Sequence, residues 1–120
     1  MQCVVVLSTR QLRDILVDPP VVIPNDGTER IEVTDGSLLW LPSDGSPVSS
    51  ASVDIKHGPF KIHTAKNMFE EKKEKKEKKE KKEKVSGNGS KAYESVIVSA
   101  PGPLEDIDGE LIIDLTYEVA

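Results

Sequence analysis

Carboxylates are the most abundant groups in this chain that could do chemistry: 21 Asp and Glu in 120 residues, against two His and one Cys. Paired carboxylates can divide acid and base roles, and clustered ones can hold a divalent cation. The densest candidate is Glu105-Asp106-Ile107-Asp108-Gly109. If Gly109 takes the place of the invariant glycine of an EF-hand loop, the first ligand position falls on Leu104 and the last on Leu115. Neither side chain offers an oxygen, so the segment reads as an acidic turn before a strand. His57 and His63 have the same parity, but Gly58-Pro59 stands between them and no Cys, His or Asp completes a ligand set at metal spacing. They read as surface or rim histidines.

Cys3 lies in the apolar run CVVVL with no His near it in sequence. A nucleophilic Cys needs a base or a charged neighbour to form its thiolate, so Cys3 reads as a small buried hydrophobe. A single Cys also excludes an intramolecular disulfide framework. Gly87-Asn88-Gly89 has no strand leading directly into it and no Lys-Ser/Thr after it, which makes it a linker rather than a phosphate loop. No GxSxG motif is present. The chemistry expected is therefore none: no catalytic residue, no cofactor and no metal. The residues singled out instead are contact candidates, namely Trp40 in SLLWL, Met68 and Phe69 before the charged tract, and Tyr117 in the last apolar segment.

Charge is distributed very unevenly. Residues 70–84 (EEKKEKKEKKEKKEK) hold nine Lys and six Glu, which leaves the rest of the chain at −8 against an overall −5. An acidic body is a poor nucleic-acid platform, because phosphate contacts need clustered Lys and Arg. It suits solubility or a basic partner. The tract repeats every three residues, the mark of tandem duplication. Glu and Lys are good helix formers, and Glu71–Lys75, Glu74–Lys78, Glu77–Lys81 and Glu80–Lys84 are i,i+4 pairs in the favoured order. The expectation is an exposed helix without an apolar face, anchored by Met68 and Phe69 and closed by the linker Ser86–Ser90. It would form an insertion over residues 65–91 between two late strands. On that reading, deletion of Glu71–Lys84 leaves the fold standing.

The rest of the chain must supply the framework, and its pattern is β. Cys3–Leu7 is apolar on both faces, as in a central strand. Val21–Ile23, Ile31–Val33, Leu38–Leu41, Val53–Ile55 and Phe60–Ile62 are short apolar runs separated by turn residues. Asp35-Gly36 between IEV and LLW is the strongest hairpin signal. Glu94–Ala100 is a further strand. From Leu111, strict alternation puts Leu111, Ile113, Leu115, Tyr117 and Val119 on one face of another. Residues 9–17 fit either a short helix capped by Ser8 or Thr9 or a strand. The fold class expected is mainly β: one domain over residues 1–120, a small sandwich or jelly-roll-like barrel of about eight strands with one charged helical insertion.

Strand count and an acidic body with a charged tract resemble nucleoplasmin-like histone chaperones, and small jelly-roll proteins of virus shells are similar to the same degree. The first resemblance implies a chaperone or adaptor for basic partners, the second a structural subunit. The expected function is a non-enzymatic assembly subunit, such as a minor or accessory capsid protein, that binds protein partners or itself and neither nucleic acid nor membrane. The alternatives are the acidic adaptor and a small enzyme using rim carboxylates. No basic segment leads into an apolar signal core, and no run approaches the ~18 apolar residues of a membrane span. The expected location is the cytoplasm, the nucleus or a virion.

Overall fold

A computed structural model describes residues 1–43, 52–66, 68–69, 81–104 and 107–119. Nine strands and one short helix follow in order among them: β1 (Gln2–Leu7), α1 (Thr9–Arg13), β2 (Val21–Ile23), β3 (Ile31–Pro42), β4 (Val53–His57), β5 (Phe60–Ala65), β6 (Lys81–Ser86), β7 (Lys91–Ala92), β8 (Val96–Ser99) and β9 (Gly109–Val119). They make two antiparallel sheets. The first has the order β1-β9-β3-β6, with β7 also on β3, and the second β2-β8-β4-β5. With the two-residue β7 set aside, the strands pair from the outside inward: β1 with β9, β2 with β8, β3 with β6, β4 with β5. Successive pairs alternate between the sheets.

One hydrophobic core draws on residues of both sheets. β9 contributes Leu111, Ile113 and Leu115, all fully buried, as period-2 alternation requires of a strand with one face inward. Opposite them in register stand Leu7, Val5 and Cys3 on β1 and Trp40, Leu38 and Gly36 on β3. From the second sheet come Val53, Ile55, Val96 and Val98. Met68 and Phe69 are buried as expected of apolar anchors, and the Phe69 ring meets Trp40 edge-on at 4.7 Å. α1 resolves the ambiguity of residues 9–17. Ser8 caps it in a capping box with Gln11, and Leu12 and Ile15 seal the core.

Three expectations are overturned. Asp35-Gly36 makes no hairpin; β3 runs through it as one twelve-residue strand. A Cβ on Gly36 would lie 2.4 Å from Asp114 O and 2.7 Å from a Leu115 methyl, so this glycine permits close approach of β9 rather than a turn. The irregularity lies between Val33 and Asp35, where Thr34 donates its hydroxyl to Thr116 O. β1 is an edge strand, because β9 is its only ladder partner among the described residues. The expected helix does not extend over Lys81–Lys84, which are strand residues paired with β3 from Ser37↔Lys84 to Trp40↔Lys81; residues 70–80 lie outside the described residues. Helix propensity and i,i+4 pairs are worth a few tenths of a kcal/mol each, too little to compete with a ladder that also buries Val85.

Two measurements check this. Gly36→Ala is expected to lower stability by roughly 1–3 kcal/mol in urea unfolding, because the added methyl meets backbone. Deleting Glu71–Lys84 removes most of β6. It should lower the unfolding free energy by an amount on the order of a few kcal/mol, as each lost ladder bond contributes about 0.5–1.5 kcal/mol.

Candidate functional site

The inner face of the first sheet is closed by the core, so what it can present is its outer face. Register defines that face row by row. Gln2, Thr116, Asp35 and Ser86 form one row, Val4, Asp114, Ser37 and Lys84 the next, and Val6, Ile112, Leu39 and Lys82 the third. The result is a mixed surface: Val4 and Val6 stand 55% and 48% exposed at one side, and Lys82 and Lys84 lie at the other. Between them a shallow hollow of about 480 Å³ is lined by Gln2, Asp35, Ser37, Lys82, Lys84 and Asp114. Gln2 donates both its amide bonds to the Asp114 carboxylate, at 2.8 and 2.9 Å, which fixes the hollow's rim.

The histidines are more buried than their flanking turn residues implied. His57, at the end of β4 opposite Val96 and Phe60, is fully buried. Neither ring nitrogen reaches hydrogen-bond geometry with a partner. Burial holds its pKa below the ordinary 6.5, against a smaller opposing pull from the backbone and carboxylate of Glu94 and the backbone of Ala92. Burial thus favours the neutral imidazole. His63 lies on β5 with its Nε2 3.4 Å from Glu83 Oε1 of β6. That pair spans the seam between the two sheets. On β4, Asp54 is buried, takes the Thr64 hydroxyl at 2.8 Å and has Lys61 Nζ at 3.9 Å. It is a structural carboxylate, held by neighbours on its own sheet.

The four contact candidates fall in two places. Trp40, Met68 and Phe69 are buried in the core, and Tyr117 is half-buried against it. Cys3 is half-buried, and its thiol donates to Val22 O at 3.0 Å, tying β1 to β2. Among the described residues no three His, Cys, Asp or Glu stand where they could hold a metal ion, and no helix is long and apolar enough to cross a membrane. A second surface hollow, of about 600 Å³, lies beside Pro24, Asn25, Asp26, Glu29 and Ser95. There the Thr28 hydroxyl and amide hold the Asp26 carboxyl below its usual range. The exposed Val4–Val6 edge went unread because the signal that could have found it, an uncharged run without proline, looks the same in a central strand and in an unprotected edge.

Neither a family model, nor a curated protein, nor a solved structure matches the chain.

The buried His57 has a consequence in acid. Unfolded, the imidazole takes a proton near 6.5; folded, it does so only at lower pH. In that interval the unfolded state binds more protons, so the stability it confers is complete above about 6.5 and falls as pH drops. His57→Leu removes a buried group without partners and is expected to match or exceed the native stability at pH 7. It should also flatten the loss between pH 6.5 and 5 in urea unfolding series. An unchanged acid slope in that variant would show that His57 does not cause it.

Proposed function

We propose that this protein is a jelly-roll module that works by association, as a non-enzymatic structural or assembly subunit of a larger particle, of which an accessory capsid protein is one instance. The nested pairing β1–β9, β2–β8, β3–β6, β4–β5, distributed alternately over two sheets, supports the jelly-roll assignment. Fold alone does not carry the function. The observation that carries it is the edge strand β1, whose outward Val4 and Val6 remain in water beside the half-buried Ile112 and Leu39. A row of apolar side chains at an open sheet edge is costly unless something covers it.

The acidic body would also suit a basic partner. On this outer face, however, Asp35 and Asp114 sit next to Lys84 and Lys82, so acidity is not concentrated where the apolar row is exposed. Association through the edge is therefore preferred to polycation binding.

In extracts of the cells that make it, the chain is expected to migrate in a species much larger than 13.2 kDa. The double variant Val4→Lys/Val6→Lys, which changes only outward positions, should fold with an unchanged circular dichroism spectrum and migrate as the free chain. A wild-type chain that migrates as a free monomer in those extracts would sink the proposal.

A further inference from the structure

Among the described residues the sheets have four open edges, and their sequences treat them differently. β2 has three residues, an irregular register and prolines at positions 20 and 24 on either side. β5 pairs through a bulge and carries an exposed Lys61. β6 and β7 carry Lys82, Lys84 and Lys91, all exposed. Short length, bulges, proline and lysine are the devices that stop one sheet from adding to another. β1 has none of them. Its six residues, QCVVVL, are uncharged, and their register with β9 is unbroken.

The hydrogen-bond phase of β1 shows which groups are unmet. Met1 and Tyr117 exchange bonds in both directions, N to O and N to O, each at 2.8 Å. In an antiparallel ladder such bonded pairs alternate with unbonded ones. Cys3, Val5 and Leu7 therefore turn their backbone groups toward β9, and Gln2, Val4 and Val6 turn theirs to the open side. The run of open groups stops at Ser8, whose N–H is already taken by the Gln11 side chain at 2.9 Å.

We propose that β1 pairs antiparallel with β1 of a second copy of this chain, about a two-fold axis at Val4, joining two first sheets into one. This rests on the reading of the protein as an association module and names its partner. With Val4 opposite Val4 of the second copy, Gln2 falls opposite Val6 and Val6 opposite Gln2. All three open residues then find bonded partners, about six hydrogen bonds in all. Charge favours a second copy here over any other edge pairing. Pairing β6 with another β6 would set lysines against lysines, and pairing β1 with β6 of another copy would set Val4 and Val6 against them. That second contact would also be heterologous, building a ring or a filament rather than a closed pair. In the β1–β1 pair no charge meets a charge. The nearest acids on the shared outer face, Asp114 and its symmetry mate, are three strand spacings apart, about 14 Å, beyond the ~8 Å screening length at physiological salt.

The test uses the purified full chain. Hydrogen exchange is followed by NMR at increasing protein concentration. The amides of Val4 and Val6 are expected to become protected as light scattering reports dimer, and those of Cys3 and Val5 to be protected throughout. In a Cys3→Ser background, Val4→Cys should form an interchain disulfide under mild oxidation, since bonded partners lie about 5.5 Å apart at Cα. Val6→Cys should not, because two Val6 positions would be displaced by four residues, roughly 13 Å along the strands. Val4→Lys is expected to raise the dimer dissociation constant at least tenfold. Fast exchange of Val4 and Val6 at every concentration, or a disulfide at Val6 in place of Val4, would overturn the self-pairing. If the purified chain stays monomeric while the native extract still holds it in a large species that Val4→Lys/Val6→Lys releases, β1 binds a different protein. Self-pairing alone then fails, and the association reading stands.

Discussion

β9 is hydrogen-bonded along both edges, to β1 over Gln2–Leu7 and to β3 over Ile31–Pro42. Because side chains alternate strictly along a strand, its register decides the orientation of every residue on its two neighbours. A slip of one position would carry Leu111, Ile113 and Leu115 to solvent and bring Asp114 and Thr116 into the core. The close approach at Gly36, where the backbone of Asp114 occupies the space of a side chain, resists that slip. The outer row Val6–Ile112–Leu39–Lys82 exists because the inner row is pinned.

The second sheet depends on the first through a few cross-sheet links. Cys3 reaches Val22 O at one seam, and His63 meets Glu83 at the other. The long chain path between β5 and β6 is accommodated because loop-closure cost rises slowly with length. At its far end the charged tract does structural duty. Lys82 and Lys84 both complete a ladder and keep the β6 edge from joining another sheet. One lysine-rich strand and one uncharged strand thus bound the same sheet.

Much of the architecture was legible residue by residue. The alternation from Leu111 located β9 and its buried face through Leu115, while Tyr117 is half-buried and Val119 exposed. Val21–Ile23, Val53–Ile55 and Phe60–Ile62 each fall within observed strands. Met68 and Phe69 were readable as anchors, and Ser8 as one of two candidate caps, with Thr9, for a segment that could also have been a strand. Three readings misled for one shared reason. Asp35-Gly36 carries local turn chemistry, Lys81–Lys84 carries local helix propensity, and Cys3–Leu7 carries a local both-faces-apolar pattern. Each was decided instead by strands distant in sequence.

By itself the sequence determined that this chain is mainly β, because period-2 alternation and turn residues depend only on neighbours along the chain. It also determined the acidic body and the residues that could fill a core. Only the tertiary structure decided which strands lie at edges, that His57 is buried without a hydrogen bond, and that Val4 and Val6 face water. Those properties belong to pairs of strands rather than to single ones. Whether an apolar residue is covered depends on what the ladder brings alongside it, and for β1 the described chain brings only β9.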